Sequence, residues 1–319
     1  MPRISVLMPT HNRADVLGYA IDSVLRQTEP DFELLVVGDG CTDNTARIVK
    51  SFQDSRIVWY DLPKAPNFGY ANRNIALRKA RGELIAFAAH DDLMFPDHLA
   101  LLSHEIDAGK LDWIYSRPLW VSTDGVIVPF CTNLHNADEL DLFMNIRNSI
   151  PAGCVMHRRS CFDKSGYWPE DVESAGDWLL WQRIIKAGNC NKFGYCRTPT
   201  TLHFSADWKN SRHSGSIEVM RMLEVADHEP WWPAPLRYPV AKQQLEQDVL
   251  QQAMKSAPTQ WCRNVRDGVS AVVDRLAWDK ILQNPPPRII EKTIQERHDS
   301  TAQLPGAMQK LKRIFRHLK

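Results

Sequence analysis

Over roughly its first hundred residues this chain alternates two hydrophobic periods, and that alternation limits its fold more than any other feature. Four short apolar runs, Ile4 to Met8, Leu34 to Val37, Ile57 to Tyr60 and Leu84 to Ala88, are continuous rather than alternating. Between them lie helix-like stretches. The first has Val16, Leu17, Ala20, Ile21, Val24 and Leu25 on one face and Asn12 as its expected N-cap. In the second, Thr42 or Asp43 caps a face of Ala46, Ile48, Val49 and Phe52. A third helix is expected over residues 71–80, and a fourth carries Pro96 in its first turn with Leu99, Leu102 and Ile106 inward. Strands without polar alternation are buried on both faces. The pattern therefore predicts an α/β fold, a mostly parallel sheet flanked by helices. In such sheets ligands bind beyond the carboxyl ends of the strands. The polar groups there are Thr10-His11-Asn12, Gly38-Asp39-Gly40 and His90-Asp91-Asp92.

Past residue 112 short strand-like pieces (113–115, 126–128, 154–156) mix with loops, and a helix is expected over 176–187. Beyond about 215 the signal is helical, broken by proline-rich stretches. Lys and Arg number 39 against 38 Asp and Glu, so neither nucleic acid nor a solvating acidic tail is implied. No apolar run reaches the roughly 18 residues of a membrane span. The opening Met1 to Val6 enters a strand-like run without a signal-peptide core. Seven scattered cysteines without a CxxC pair suit reduced thiols, and the expected location is cytoplasmic.

The residues after the first strand exclude several nucleotide chemistries. Pro9-Thr10-His11-Asn12 contains no GxGxxG turn, and no GxxxxGK[ST] phosphate loop occurs. Asp91-Asp92, by contrast, stand directly after a buried strand. Paired carboxylates there suit Mg²⁺ or Mn²⁺ with phosphate oxygens, or a helix amino end ahead of Pro96; the residues alone leave both open.

The runs Ser5-Val6-Leu7-Met8-Pro9-Thr10-His11-Asn12-Arg13, Asp31 to Thr45, Asn72-Arg73-Asn74, Ala80 to Phe87 and Asp91 to Leu99 resemble glycosyltransferase family 2 in order and spacing. Its members are inverting transferases of the GT-A (Rossmann-like) fold. The resemblance is close over residues 3–105 and looser over 150–205, and within the family it leans toward the spore-coat polysaccharide branch. It implies a GT-A domain over 1–214, with a nucleotide-binding half at 1–111 and an acceptor half at 112–214, followed by a helical C-terminal extension at 215–319.

The same resemblance implies roles. Pro9, Thr10, His11, Asp39, Arg73 and Asp91 would bind nucleotide. His11 stands where the family usually has a stacking Tyr, and Asp39 would accept from the N3–H of a uracil- or thymine-like base. Gly38 stands where the family usually has Asp, and Ala89 where the metal motif usually has its first carboxylate. Asp91 would then serve the ribose and Asp92 the metal, Mn²⁺ or Mg²⁺, with His203 as a second ligand; Asp91 and Asp92 could exchange roles. Asp177 takes the position of the catalytic base, with Glu173 in reserve. Trp178 and Trp181, three residues apart, would present an aromatic face to the acceptor or belong to the core. Arg212 and His213 lie in a polar stretch resembling a loop that closes on the diphosphate.

The implied reaction moves a sugar from a UDP- or dTDP-linked donor to a glycan, lipid-linked or protein acceptor in surface polysaccharide synthesis. Two rival readings are a sugar nucleotidyltransferase and a non-catalytic sugar-nucleotide binding module. Residues 308–319 place Met308, Leu311, Ile314, Phe315 and Leu318 on one stripe with five flanking cations. That pattern suits either peripheral contact with anionic lipid or a helix docked on the protein itself.

Overall fold

The computed structural model describes residues 1–188, 192–204 and 217–275. Its eleven strands among these residues form two sheets. The larger contains β1 (Ile4–Thr10), β2 (Phe32–Asp39), β3 (Ile57–Leu62), β4 (Leu84–Phe87), β6 (Trp113–Ser116), β9 (Val155–Arg158) and β10 (Phe193–Cys196), in the order β10-β6-β9-β4-β1-β2-β3. The smaller contains β5 (Leu93–Met94), β7 (Leu119–Val121), β8 (Ile127–Pro129) and β11 (Thr201–Phe204), in the order β5-β11-β7-β8. The helices are α1 (Leu17–Leu25), α2 (Thr45–Ser51), α3 (Tyr70–Leu77), α4 (His98–Ala108), α5 (Ala137–Asn145), α6 (Phe162–Ser165), α7 (Gly176–Ala187), α8 (Ile217–His228), α9 (Glu246–Ser256) and α10 (Pro258–Arg275).

β1 pairs in parallel with both β2 and β4, and β2 with β3, as the continuous apolar runs require. Val6, Met8, Leu34 and Val36 pack on one face with α1, α2 and α4, while Leu7, Leu35 and Val37 pack on the other with α3 and α7. β9 runs antiparallel between β4 and β6. At the amino end of the sheet, buried Glu33 accepts from Ser5 Oγ at 2.7 Å, Arg81 N at 2.7 Å and Arg81 Nε at 2.8 Å. A Cβ on Gly82 would stand 2.4 Å from Ser5 N. The Arg81-Gly82 pair is thus a structural pin.

Two local expectations are corrected. Asn12 is not the cap of α1, which begins five residues later; it sits at φ 50°, and its Oδ1 accepts from Thr42 N at 2.7 Å, tying the ends of β1 and β2 together. Pro96 lies in the turn before α4 rather than in its first turn. α8, α9 and α10 share one core with the smaller sheet, in which Val219, Leu223, Leu250, Val265 and Val269 meet Leu119, Val128, Leu202 and Phe204.

Two buried histidines set an acid limit. His98 Nδ1 donates to Thr200 Oγ1 at 2.7 Å, because that hydroxyl donates onward to Ser116 Oγ. His157 Nδ1 donates to the Arg158 carbonyl at 2.7 Å. Each Nε2 is sealed from solvent without a partner among the described residues, and burial pushes both imidazoles down to about 4. In the unfolded chain they titrate near 6.5, so between about 6.5 and 4 the unfolded state binds protons that the native state refuses. Stability is then lost as pH falls through that window, by about 1.4 kcal/mol per pH unit for each His. Urea unfolding at pH 7 and pH 5 will show the loss, and His157→Gln will remove one share of the slope.

Candidate active site

A cleft of about 400 Å³ opens beyond the carboxyl ends of β1, β2 and β4. Pro9, Thr10, His11, Asp39, Arg73 and Asp177 all line it, so the structure gathers six of the residues singled out in the sequence. His90, one of the polar strand-end residues expected to face a ligand, lines it too, and Lys64, Phe68, Gly69 and Trp168 join them, although the sequence suggests no role for any of these four.

At one end Asp39 is buried and heavily bonded. Oδ1 accepts from Ala65 N at 2.8 Å and Asn72 Nδ2 at 2.7 Å, and Oδ2 accepts from Lys64 Nζ. Gly69, at φ 71°, lies so close that a Cβ would stand 2.5 Å from Asp39 Oδ2. His11 donates from Nδ1 to the Asp39 carbonyl at 2.7 Å, which fixes its ring across the strand ends. Thr10 Oγ1 is sealed from solvent with no partner among the described residues. The departure at Gly38 has a packing cause: a Cβ there would stand 2.3 Å from the Trp59 indole.

The middle of the cleft is built by α3, the 167–171 loop and the start of α7. Arg73 lies over the Tyr70 ring at 4.9 Å and over the Trp168 ring at 4.7 Å, and donates from Nη2 to the Phe68 carbonyl at 3.0 Å. Asn74 clamps the loop, donating to the Trp168 carbonyl at 2.9 Å and accepting from Trp168 N at 3.1 Å. Tyr70 Oη accepts from Gly176 N at 3.0 Å, and a Cβ on Gly176 would strike the Tyr70 ring at 2.6 Å. These contacts hold the first turn of α7, and with it Asp177. Asp177 accepts from Trp178 N at 2.8 Å and Asn148 Nδ2 at 3.3 Å. Burial raises its carboxyl, against the opposing pull of the Trp178 amide, Arg73 and His203. Burial likewise lowers the Arg73 guanidinium, against Tyr70, Asp177 and Asp39, without discharging it.

Asp91 and Asp92 diverge. Asp91 meets Arg13 Nη1 at 3.4 Å and His90 Nε2 at 3.8 Å, and its carbonyl accepts from Gln247 Nε2 of α9 at 3.1 Å. Asp92 Oδ2 meets His203 Nδ1 at 2.7 Å, and its Oδ1 accepts from Phe204 N at 3.1 Å. Burial raises the Asp92 carboxyl although His203 pulls it down. Burial lowers the His203 imidazole, yet Asp92, with Asp91 and Asp177, raises it overall. His203 therefore stands against Asp92 as the sequence suggested. A carboxylate oxygen and an imidazole nitrogen side by side form a donor set that a hard dication can enter.

The aromatic pair does not form an acceptor platform. Trp181 is 0% exposed and packs on Phe87 at 4.9 Å, with Trp113, His157 and Trp168 about it, so it belongs to the core and cannot reach an acceptor. Trp178 is half-buried and donates from Nε1 to the Phe143 carbonyl at 2.6 Å. Glu173 is exposed on the loop before α7. Arg212, His213 and residues 308–319 lie outside the described residues. Among the described residues no helix is long and apolar enough to cross a membrane, and no group of three or more His, Cys, Asp or Glu could hold a metal.

The described architecture is that of GT-A glycosyltransferases: S. aureus TarS 1–349, solved in complex with UDP, shares the fold at TM-score 0.53 and 24% identity, over 70% of this chain and 65% of that one. Residues 5–166 match the model of glycosyl transferase family 2, and the chain belongs to that family. An E. coli relative, the UDP-Glc:alpha-D-GlcNAc-diphosphoundecaprenol beta-1,3-glucosyltransferase WfgD, is 32% identical over 188 residues, covering 58% of this chain and 71% of the relative. An uncharacterized glycosyltransferase of Rickettsia bellii is 27% identical over 185 residues. That match covers 57% of this chain and only 26% of the relative.

Because Trp181 is core, Trp181→Ala will destabilise the protein by about 3–5 kcal/mol, the usual cost of deleting a buried Trp. Trp178→Ala will cost clearly less. Chemical denaturation of the two variants checks this.

Proposed function

We propose that this chain is an inverting glycosyltransferase that moves a sugar from a UDP- or dTDP-linked donor to an acceptor hydroxyl. The observation that carries the reading is the placement of Asp177 at the amino end of α7, in the same cleft as Asp39 and Arg73. Inversion needs one base opposite the leaving diphosphate and no covalent intermediate. Asp177 is that base: burial raises its carboxyl, which makes it a better proton acceptor, while Arg73 stabilises the anion. Asp39 accepts from the base of the nucleotide, beside Pro9, Thr10 and His11 at the end of β1. Arg73, packed against two rings, faces the charge that builds on the departing diphosphate.

Asp92 and His203 would hold the dication, Mn²⁺ or Mg²⁺, which supplies charge neutralisation to the diphosphate. Asp91 meets Arg13 and, by the family resemblance, would serve the ribose. A lipid-diphosphate or glycan acceptor in surface polysaccharide synthesis is supported by the diphosphoundecaprenol-linked acceptor of WfgD. Such an acceptor gives the basic stripe at 308–319 a purpose at the cytoplasmic face of a membrane. Flotation on anionic vesicles that is lost on removing 308–319, and weakened by salt, is the expected result.

Slow release of free sugar and UDP from a UDP-sugar is the expected basal reaction. Pyrophosphate would point to a nucleotidyltransferase, and no turnover to a binding module. Asp177→Asn will keep UDP affinity and lose transfer by about 10²–10⁴-fold, the usual range for a general base. Asp92→Ala will lose the Mn²⁺-dependent part of UDP affinity in calorimetry. Transfer by Asp177→Asn at the wild-type rate would remove the assignment.

A further inference from the structure

The loop between β3 and α3, residues 63–69, has no part in the chemistry above, yet Lys64, Asn67, Phe68 and Gly69 line the cleft. It is built tightly against the strand ends. A Cβ on Gly40 would stand 2.7 Å from Lys64 N, so the two backbones touch. Ala65 N and Lys64 Nζ both bond the Asp39 carboxylate. Asn67, at φ 57°, and Gly69, at φ 71°, flank Phe68 and turn it outward. As a result Phe68 is 56% exposed although it lines the cleft. An exposed phenyl on an anchored loop at a cleft mouth is a surface awaiting a flat partner.

Lys64 has a second relevant property. Its ammonium donates to Asp39, to the Ala65 carbonyl at 3.0 Å and, least closely, to the Asn67 carbonyl at 3.3 Å. Asp39 and Lys64 therefore present an acceptor and a donor side by side. A pyrimidine-2,4-dione presents the complement, an N3–H next to a carbonyl oxygen.

We propose that loop 63–69 reads the nucleobase: Lys64 donates to the carbonyl at C4 beside the N3–H taken by Asp39, and Phe68 covers a face of the ring. Lys64 exchanges its bond to the Asn67 carbonyl for the base. In this register cytosine is mismatched twice, since its bare N3 meets the Asp39 carboxylate and its amino group meets the ammonium. The inference rests on the nucleotide-sugar reading above and adds the residues that set base choice.

The test is calorimetric titration of UDP and CDP, with Mn²⁺ present, into wild type, Lys64→Met, Lys64→Arg and Phe68→Ala, each first shown to melt cooperatively. Wild type is expected to prefer UDP. Lys64→Met should weaken UDP by about tenfold, the usual scale for a bond from a charged donor, and leave CDP little changed, so the preference narrows. Lys64→Arg, which keeps a charged donor, should retain the preference. Phe68→Ala should weaken both nucleotides by a similar factor of about fivefold or more, the scale of base stacking on an aromatic ring. UDP binding by Lys64→Met equal to or tighter than wild type would overturn the Lys64 role and mark the ammonium as a plug over Asp39. Unchanged binding by Phe68→Ala would overturn the platform. Wild type that binds UDP and CDP equally overturns the base reading alone, whereas wild type that binds neither overturns the nucleotide-sugar function with it.

Discussion

The Arg73 guanidinium, packed against the rings of Tyr70 and Trp168, which stack on each other at 5.6 Å, is the contact on which the site depends. A cation drawn out of water needs both apolar cover and negative charge within reach. The two rings give the cover, and Asp39 and Asp177, both lining the cleft, give the charge. The same residues fix the surrounding backbone. Tyr70 bonds the first amide of α7, and Asn74, one position past Arg73, clamps the loop that carries Trp168. A single short helix, α3, thereby ties Asp39, through Asn72, and the first turn of α7 with Asp177, through Tyr70, into one frame.

The second organising element is the smaller sheet. Its core is shared with α8, α9 and α10, so these helices are packed as closely on the domain as α1 or α4. α9 also touches the acidic loop, through Gln247 on the Asp91 carbonyl, and touches α1, through Gln251 on the Tyr19 carbonyl at 2.8 Å and Lys255 on Asp22 at 2.8 Å. α10 contributes Arg266, which holds both carboxylate oxygens of Asp97 at 2.8 Å just ahead of α4. Residues far beyond the family match thus support the loop on which the candidate metal ligand sits.

The features legible in the sequence are those decided locally. β1 to β4 and α7 follow from apolar runs and 3.6-residue spacing, and the polar groups at the strand ends converge because a parallel sheet places all its carboxyl ends on one side. The smaller sheet is not legible, because strands of two to four residues carry no period. Spacing alone leaves Trp181 open between acceptor and core; three-residue spacing puts it near Trp178 along the helix, but only packing against Phe87 and Trp113 shows which way it faces. Gly38 reads as a missing ligand. It is a consequence of Trp59, on the next strand, whose ring fills the volume a side chain would need. Lys64 and Phe68 give no warning because a lysine and a phenylalanine in a loop carry no signal until the loop is seen folded against Asp39.

The meeting of Asp92 and His203 is set by a ladder only two rungs long. β5 pairs with β11 so that Met94 stands opposite Thr201 and Leu93 opposite Leu202. One step further along the same antiparallel register, Asp92 faces His203, and the Phe204 amide closes on the carboxylate. Side chains alternate across a strand, so a shift of one residue would offer Asp92 either Leu202 or Phe204 and bury the imidazole on the wrong side. The donor set is in effect a vernier reading of strand register. Loops between residues 93 and 201 can change length without disturbing the pair as long as the register of β5 and of β7 on β11 is kept.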